Sequence, residues 1–485
     1  MASIYLGADI GTTSAKCIAV REDGEILAIS QLSYPTTHPQ QGWAEQDPED
    51  FWHGLVETVR GCLRACARQR YTKEHVVSLA LSTQGDTLIV TDSAGKPLTP
   101  AIGWMDARGE TEFAELLAEA DASFWYRETG SPLTVLSSAC AIRWLARRRP
   151  DVVAAKPRYC YVADYLAKRL RGEFVTDMPS ASWTPLFSPV RREWSQPVLD
   201  LLGVPRDALP AVVESGEAIG RLLPEAAREL GLSPNTKLVA GAFDQAAAAH
   251  GAGARANATG VLSCGAAWVL YIVSAGPITD PNERLCTCCH TGPGECALVL
   301  PFTGGSAYDW LNRMVSDDGE DARPNADPLT FIPHLYGGLS PDWHGESRGS
   351  LIGLTLAHTA GDVRLALMRG LAFEARRNTE AAAPLLTKEG SGEVERIRMV
   401  GGAGKSKVWP KIIANVLNLP VDVPDCVESA CYGAAKLAAG DASANWAEAG
   451  TLRRFQPSAQ DVRTEDRLYE DYIRIYSALL PLYQS

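Results

Sequence analysis

The sequence contains no stretch as long and apolar as a membrane span, and its amino terminus lacks the basic-then-apolar pattern of a signal peptide. It also lacks an excess of positive charge, because 46 Lys and Arg stand against 58 Asp and Glu, for a formal net charge of -12. A basic surface that could bind nucleic acid or anionic lipid broadly is therefore not expected. We expect a cytoplasmic protein without nucleic-acid or membrane partners.

The cysteines do not form the regular pattern of a disulfide-rich domain. Twelve of them are scattered over 485 residues, which favours reduced thiols. The segment from Cys286 to Cys296 is too crowded for two regular pairs of zinc ligands, and we predict no metal-ligating cysteine. A hydrophobic content of 46% over this length predicts two or three domains with packed cores.

The first motif is a polar turn between two apolar segments at the start of the chain. Residues 4–10 and 17–20 predict two strands of a β-hairpin, and Gly11, Thr12, Thr13 and Ser14 form the turn between them. Their hydroxyl and N–H groups can converge on an anion such as phosphate. An ordinary edge hairpin with a polar turn is the alternative.

Two charged side chains flank this turn. Asp9 ends the first predicted strand, where a carboxylate can hold Mg²⁺ directly or through waters. Lys16 adds a compact positive charge on the same side of the hairpin.

Two further segments place polar groups where a small ligand could meet them. The predicted strand 76–82 runs into Gln84-Gly85-Asp86-Thr87, a polar turn at a strand end. Trp104, Asp106 and Arg108 offer a ring, a carboxylate and a guanidinium that could form a sugar-facing wall. A packed Trp beside a surface Asp–Arg pair is the alternative for this second segment.

The middle of the chain changes from strand to helix at Asp244. A carboxylate at this position is expected to cap the helix, and an N-cap is the commoner role of an Asp before an Ala run. Small residues then follow from Ala252 to Asn257, which suggests a domain boundary. We predict an N-terminal domain over 1–251 and a C-terminal domain over 255–485.

The second half repeats the opening pattern. Residues 260–271 predict a second hairpin with Gly265 at its turn, which suggests two lobes that each present a phosphate-facing turn. Residues 397–407 predict a strand that ends in a glycine turn able to approach a base or ribose closely. This turn does not have the glycine spacing of a Walker loop.

These motifs occur together in the order found in FGGY carbohydrate kinases, and the chain most resembles the xylulokinase-like branch. The resemblance implies a two-lobed α/β fold of the actin/hexokinase/Hsp70 (ribonuclease H-like) type, with one mixed sheet and helices in each lobe. It further implies ATP and Mg²⁺ as cofactors, a site in the interlobe cleft, and phosphoryl transfer to a sugar hydroxyl.

The resemblance also assigns roles to residues. Asp244 resembles the catalytic base, and Asp9 would organise Mg²⁺ as a second catalytic residue. The residues expected at the nucleotide are Thr12, Thr13, Lys16, Gly265, Gly401, Gly402, Ala403 and Ser406. Those expected at the substrate are Gln84, Asp86, Trp104, Asp106, Asp244 and Gln245.

Departures from the family pattern limit the substrate prediction. Ala266 stands where Thr or Ser is usual, and residues 338–341 lack the Glu and Arg of the usual loop. The Gln84 to Thr87 turn is closer to the Gln-Arg-Glu-Thr of glycerol kinases than to the Gln-Met-His-Gly of many xylulokinases.

We predict an ATP-dependent kinase for a ketopentose such as D-xylulose. The alternatives are a kinase for ribulose or a small polyol of the glycerol or erythritol type, and a catalytically weak nucleotide- or sugar-binding regulator. The partners expected are a sugar or polyol and ATP, and a homodimer is compatible with the sequence.

Overall fold

The computed structural model describes residues 2–256, 259–315, 327–425, 428–446 and 452–483, and these residues fold into two compact units. The first unit contains Met1–Gly253, Thr287–Ala297 and Glu428–Ala449. The second contains Ala254–Cys286, Leu298–Val427 and Gly450–Ser485. Asn257, at the end of the predicted boundary, lies outside the described residues.

The strands, numbered in chain order, are β1 (Ile4–Ile10), β2 (Ser14–Arg21), β3 (Ile26–Ser33), β4 (Glu45–Gln46), β5 (Val76–Thr83), β6 (Ile89–Thr91), β7 (Ala101–Ile102), β8 (Arg158–Cys160), β9 (Val175–Asp177), β10 (Phe187–Ser188), β11 (Glu193–Trp194), β12 (Ala211–Val213), β13 (Ala218–Arg221), β14 (Lys237–Phe243), β15 (Thr259–Cys264), β16 (Ala267–Ser274), β17 (Cys286–Cys289), β18 (Cys296–Thr303), β19 (Thr330–Ile332), β20 (Ser350–Ile352), β21 (Arg396–Gly401), β22 (Val421–Pro424) and β23 (Leu452–Phe455).

The α-helices are α1 (Pro48–Arg68), α2 (Glu110–Glu119), α3 (Ala122–Thr129), α4 (Ser138–Arg148), α5 (Pro150–Ala154), α6 (Val162–Arg171), α7 (Met178–Ser182), α8 (Gln196–Leu202), α9 (Pro224–Leu230), α10 (Asp244–Gly251), α11 (Gly305–Met314), α12 (Ala360–Lys388), α13 (Trp409–Leu417), α14 (Ser429–Ala439) and α15 (Ala459–Tyr483). Short 3₁₀ helices lie at Lys73–His75, Arg206–Ala208, Gly402–Lys405 and Gly440–Asn445. Within the described residues, no helix combines the length and apolarity that a membrane crossing requires.

The first unit is built on a six-stranded mixed sheet in the order β13-β14-β5-β1-β2-β3. Strands β1, β2 and β3 form an antiparallel meander, whereas β5 and β14 continue the sheet from β1 in parallel. Helix α1 packs against β2 and β3, and it is capped by Asp47, whose carboxylate accepts a hydrogen bond from the Glu49 amide at 3.0 Å. The antiparallel pairing of β1 with β2 confirms the opening hairpin predicted from the sequence.

Two apolar clusters stabilise the first unit by removing side chains from water. One lies between the sheet and its helices and includes Leu6, Ile10, Phe51 and Leu79. The other gathers the helices that follow β7 and includes residues such as Trp125 and Phe187. The sheet edge that carries the polar turns is therefore supported by packed side chains.

The second unit repeats the topology of the first. Its sheet contains the run β18-β16-β15-β21-β22-β23, in which β15 and β16 form the predicted second hairpin and are antiparallel. Strands β21 and β22 extend the sheet from β15 in parallel, as β5 and β14 extend it from β1. The repeat predicted from the two hairpins is confirmed at the level of strand order. Leu262, Leu300, Leu371 and Ile413 belong to the core of this unit.

Candidate active site

Three parallel strands end at the same edge of the first unit's sheet. In register, Ile10 of β1 pairs with Thr83 of β5, and Thr83 pairs with Phe243 of β14. The residues at and after these strand ends therefore lie side by side, as the carboxyl ends of parallel strands do. They are the residues predicted to form the site: Asp9, Gln84, Asp86, Asp244 and Gln245.

Asp9 is held at the end of β1 by a neighbouring strand. The Ser82 hydroxyl donates a hydrogen bond to Asp9 Oδ1 at 2.7 Å. Burial raises the pKa of Asp9 to about 6, against the opposing effects of the Ser82 hydrogen bond and the Lys16 charge. A carboxylate in such a place gains from a cation that replaces its lost hydration.

Lys16 stands opposite Asp9 in the antiparallel β1–β2 pair. Its ammonium Nζ donates to Glu428 Oε2 at 2.6 Å. Burial lowers the pKa of Lys16, but the hydrogen bond and charge of Glu428 outweigh that effect, and the pKa lies above its usual value. Lys16 is therefore a fixed positive charge beside the turn.

Thr12 joins the turn of the hairpin to the polar groups around it. The Trp104 indole Nε1 donates to Thr12 Oγ1 at 3.0 Å, and Gln46 Nε2 donates to the Thr12 carbonyl at 2.8 Å. Gln84 Nε2 donates in turn to Gln46 Oε1 at 2.9 Å. A chain of hydrogen bonds thus links Gln84 to the turn, where the side chain of Thr13 is exposed.

Asp244 is the first residue of α10, as the strand-to-helix change predicts. It does not cap the helix as expected, because Phe243 is the N-cap residue, and the Asp244 carboxylate accepts the adjacent Gln245 amide at 2.8 Å. The cap prediction is wrong because the chain enters the helix one residue earlier. Burial, and then the charge of Asp9, raise the pKa of Asp244 to about 7.

Asp86 lies in the turn after β5 with a φ of 49°, in the left-handed region that Asp tolerates better than most residues. Its Oδ2 accepts the backbone N–H of Ser138, at the start of α4, at 3.1 Å. Burial raises the pKa of Asp86 to about 7. The preceding Gly85 faces Trp183 so closely that a Cβ there would lie 2.3 Å from Trp183 Cδ1.

Three buried acceptor oxygens that follow the ends of β5 and β14 have no hydrogen-bond partner among the described residues: Gln84 Oε1, Asp86 Oδ1 and Gln245 Oε1. A buried acceptor without a partner is costly, so a ligand that donates hydrogen bonds to it is favoured. Hydroxyl groups are such donors. This set of oxygens matches a ligand with several hydroxyls.

Trp104, Asp106 and Arg108 take different positions. The Trp104 side chain is exposed, whereas the Arg108 and Asp106 side chains are only 4% and 1% exposed. The alternative of a surface Asp–Arg pair is therefore wrong. Asp106 Oδ2 accepts the Ala44 amide at 2.6 Å, and the Arg108 guanidinium lies 3.9 Å from the centroid of the Trp43 ring. This buried pair supports the wall from which Trp104 projects.

The second unit presents Gly265 and Ala266, both exposed, in the turn between β15 and β16. The Gly305 amide donates to the Gly265 carbonyl at 3.1 Å, and the Ser306 amide to the Ala266 carbonyl at 3.0 Å. A Cβ on Gly305 would lie 2.6 Å from the Gly265 carbonyl oxygen, so this contact requires glycine. Helix α11 consequently begins against the turn, with its amino end nearby.

Gly401 follows at the end of β21, paired in register with Cys264. Its φ of 90° is in the region that favours glycine, and a Cβ would lie 2.7 Å from the Cys264 carbonyl oxygen. Gly402 and Ala403 begin the 3₁₀ helix, and the Ser406 hydroxyl accepts the Val408 amide at 3.0 Å. The residues predicted to contact the nucleotide in this unit thus lie at the ends of β15 and β21.

A cavity of about 90 Å³ opens beside this glycine turn. It is lined by residues that include Gly401, Gly404, Lys405, Val423 and Arg453. Arg453 is fixed there because its Nη2 donates to the Gly404 carbonyl at 2.6 Å. The backbone of the glycine turn and the positively charged side chains of Lys405 and Arg453 therefore line the same cavity.

Four residues at the first unit's site were not predicted from the sequence. Gln46 lies just before α1, and an amide side chain at that place carries no signal of its own. Ser138 and Trp183 come from helices distant in sequence, and their residue types carry no signal of their own. Glu428 contacts Lys16 across 412 residues of sequence, which no local pattern reveals.

The Asp9 carboxylate is the side chain of this site that fits Mg²⁺. Asp9 offers a buried carboxylate beside the polar turn, and burial raises its pKa to about 6. Mg²⁺ in nucleotide sites is commonly held by one or two carboxylates, with waters and phosphate oxygens. Asp9 beside the polar turn fits that arrangement, and the glycine turns fit a close approach of phosphate.

Sequence models of a known family match both parts of the chain. Residues 4–251 match the FGGY family of carbohydrate kinases, N-terminal domain, and residues 287–442 match the C-terminal domain of that family. The chain is 28% identical to a gluconokinase from Bacillus subtilis (strain 168), over 90% of this chain and 86% of that protein. It is 27% identical to a xylulose kinase from Escherichia coli (strain K12), over 99% of this chain and 100% of that protein.

The fold is similar to that of a sugar-acid kinase of known structure. The crystal structure of gluconate kinase from Lactobacillus acidophilus matches with a TM-score of 0.89 at 23% identity, covering 100% of this chain and 99% of that one. The similarity shows a two-domain α/β fold and confirms the predicted fold class.

Proposed function

Because the chain belongs to the FGGY family of carbohydrate kinases, we propose that it transfers the γ-phosphoryl group of ATP to a hydroxyl of a ketopentose, with D-xylulose the leading substrate. The observation that carries the substrate proposal is the set of unpartnered buried acceptors at Gln84, Asp86 and Gln245. A polyhydroxylated ligand satisfies them without any change of charge in the pocket.

Asp244 is proposed as the general base. A base is most effective when its pKa lies near the working pH, and burial together with Asp9 raises the pKa of Asp244 to about 7. In the reaction, the sugar oxygen forms a bond to the γ-phosphorus as the bond from that phosphorus to the β-phosphate oxygen breaks. The hydroxyl proton passes to the Asp244 carboxylate, and ADP leaves.

The hairpin of the first unit is proposed to position and neutralise the phosphoryl group. Thr12 and Thr13 present hydroxyl and N–H donors, and Lys16 adds an ammonium. Asp9 would hold Mg²⁺, which when bound supplies charge neutralisation at the phosphates. These are the contributions on which phosphoryl transfer chiefly depends, since positioning and electrostatics outweigh covalent chemistry.

We assign the sugar and the base to a domain over 1–251 and the nucleotide to a domain over 255–485. In the second, Gly265, Gly401, Gly402, Ala403 and Ser406 are proposed to line the nucleotide site. Trp104 is proposed to offer its ring face to the carbon chain of the sugar, with Asp106 as a substrate-side residue beneath it. A cytoplasmic location and a homodimer remain predictions.

A neutral sugar is preferred to an aldonate because of the charges around the pocket. A bound carboxylate favours a cationic partner, but Lys16 is proposed to contact the phosphoryl group, and Arg108 is paired with Asp106 and Glu45. Burial without a compensating cation raises the pKa of Asp86 to about 7. Once ionised, as the proposed mechanism requires, Asp86 and Asp244 would repel a gluconate anion.

A small polyol is the second candidate, favoured by the carboxylate of Asp86. In this turn the sequence is closer to the pattern of glycerol kinases, and Asp86 keeps one oxygen, Oδ1, without a partner among the described residues. A kinase for ribulose, glycerol or erythritol would use the same base and hairpin.

A substrate screen tests the proposal. ADP release would be measured with ketopentoses, ketohexoses, aldoses, gluconate and polyols of three to five carbons, and the product identified by phosphorus NMR. We expect the largest kcat/KM with D-xylulose and none above background with gluconate. Asp244→Asn, purified identically, controls for a contaminating kinase. Preferential use of gluconate would refute the neutral-sugar proposal, and nucleotide binding without transfer to any acceptor would support a regulator instead.

A further inference from the structure

We propose that Glu428 is a positioning residue of the phosphoryl-transfer site, which holds the ammonium of Lys16 away from Asp9 and so keeps that carboxylate available to Mg²⁺. The inference rests on the proposed function, because it takes Asp9 as the metal-binding carboxylate. It adds a role for a residue that lies 412 positions from its partner in sequence.

The starting observation is the geometry of the Lys16–Glu428 pair. Lys16 Nζ lies 2.6 Å from Glu428 Oε2, and the two side chains are 26% and 23% exposed. A pair shielded to this degree is less screened by solvent and salt than an exposed one. Glu428 occupies the N-cap position of α14, but its side chain makes no capping hydrogen bond. Its carboxylate is directed to Lys16 instead.

The second observation is the position of Lys16 relative to Asp9. The two residues are partners in the antiparallel β1–β2 register, so their side chains leave the sheet on the same face at neighbouring positions. A lysine side chain is long and flexible and can reach either carboxylate. Both Lys16 and Glu428 act electrostatically on Asp9. The charge of Asp9 likewise acts on Lys16, as that of Glu428 does.

Helix α14 is seated so that Glu428 has little freedom to move away. A Cβ on Gly7 of β1 would lie 2.0 Å from the Cys431 carbonyl oxygen, so the helix backbone rests directly on the strand that carries Asp9. A Cβ on Gly433 would lie 1.8 Å from the Ala247 carbonyl oxygen of α10, the helix that begins with Asp244. Because glycine stands at both contacts, α14 can pack closely against β1, which carries Asp9, and against α10, which begins with Asp244.

An ammonium can donate three hydrogen bonds. The bond to Glu428 uses one of them and leaves the others for phosphoryl oxygens. Glu428 therefore orients Lys16 without preventing its proposed contact with the nucleotide. An ammonium bound directly to Asp9 would instead neutralise the carboxylate that the metal needs.

The test compares the Mg²⁺ requirement in wild type, Glu428→Gln and the double variant Lys16→Met/Glu428→Gln. The measurement is ADP affinity by titration calorimetry over a series of Mg²⁺ concentrations, and kcat is recorded separately. In Glu428→Gln we expect the half-saturating Mg²⁺ concentration to rise about tenfold, a typical coupling between neighbouring sites. Removing the competing ammonium in the double variant should return it to within about twofold of wild type, although kcat stays low.

Glu25→Gln is the matched control, because Glu25 is an exposed partner of Arg21 at the far end of the same hairpin. It should leave the Mg²⁺ requirement unchanged. Glu428→Asp keeps the charge on a shorter side chain, so its half-saturating Mg²⁺ concentration should lie between those of wild type and Glu428→Gln. It also serves as the second variant if the thermal midpoint shows that Glu428→Gln is poorly folded.

An unchanged Mg²⁺ requirement in folded Glu428→Gln or Glu428→Asp would overturn the proposal. So would a double variant no better than Glu428→Gln, since a merely structural defect is not relieved by removing a second side chain. Failure of the proposed function has a different signature. In that case wild type binds ADP with Mg²⁺ but phosphorylates no sugar or polyol, and the calorimetric comparison still reports on Glu428.

Discussion

The indole ring of Trp183 lies flat against the ring of Phe243, with 5.3 Å between ring centroids and 3° between the ring planes. Phe243 is the N-cap residue of α10 and directly precedes Asp244. The same indole lies close to Gly85, the residue before Asp86. One aromatic ring therefore fixes the spacing between the proposed base and the proposed sugar-binding turn.

We predict that Gly85→Ala will impair sugar use more than nucleotide binding. A Cβ at this position would meet Trp183 at 2.3 Å, so the turn or the indole must shift. A small displacement of a substrate-positioning group can cost about 100-fold in rate, which should appear in kcat/KM for the sugar. Gly276→Ala is the control, because its Cβ would meet nothing within 4 Å. Equal kinetics for the two variants would show that the contact does not shape the site.

Asp244→Asn tests the general base. The amide keeps the size of the side chain and an oxygen for the Gln245 amide, but it cannot accept the proton of the attacking hydroxyl. We expect kcat to fall by about 10²- to 10⁴-fold with ADP affinity nearly unchanged. Turnover close to that of wild type in the folded variant would exclude this role.

The pH dependence should report two buried carboxyl groups. Burial, together with the charge of Asp9, raises the pKa of Asp244 to about 7, and burial raises the pKa of Asp86 to about 7. Both must be ionised to accept hydrogen bonds from the sugar, so kcat/KM should be lost as the pH falls through about 7 and should level off above it. With two groups titrating, the acid limb should approach about 100-fold per pH unit, and in Asp86→Asn about tenfold. An acid limb with the same slope in both proteins would contradict the assignment.

The local architecture was accessible from the sequence because it depends on neighbours along the chain. Glycine and threonine turns between apolar segments predicted both hairpins, and the change at Asp244 predicted a strand followed by a helix. These patterns place Asp9 and Asp244 at strand ends, which the structure confirms. Because the carboxyl ends of parallel strands lie at one edge of a sheet, the two residues come close together once the strands pair.

The remaining features depend on contacts between distant segments. The pair of Asp106 and Arg108 was interpreted as a possible surface pair, and it is buried because Trp43 packs over the guanidinium. The partner of Lys16 comes from a helix near the end of the chain that returns to the first unit. Its close packing needs a glycine on β1, Gly7, and one on the helix itself, Gly433, and the need for them is visible only once the backbones are in place.

Asp9→Ala tests the metal-binding carboxylate. Its loss should raise the Mg²⁺ concentration for half-maximal activity by about tenfold or more and lower kcat, with little change in sugar affinity. Activity would be measured against Mg²⁺ at saturating ATP. Asp23→Ala is the control, since Asp23 is an exposed partner of Arg21 on the same hairpin. Superimposable Mg²⁺ curves for wild type and Asp9→Ala would remove Asp9 from this role.

The final prediction distinguishes an Asp86 that binds substrate from one that only shapes its turn. Oδ2 accepts the Ser138 amide at 3.1 Å, whereas Oδ1 is buried without a partner among the described residues. In Asp86→Asn the amide oxygen can keep the Ser138 contact while the NH₂ group replaces the free acceptor. The loss of a charged hydrogen bond is expected to cost about 1.5–3 kcal/mol in kcat/KM for the sugar, with the KM for ATP nearly unchanged. A deoxy sugar lacking the contacted hydroxyl has no such bond to lose, so its kcat/KM should change less than that of its parent. An equal fall for the parent and every deoxy analogue would mean that Asp86 supports the turn and does not contact the sugar.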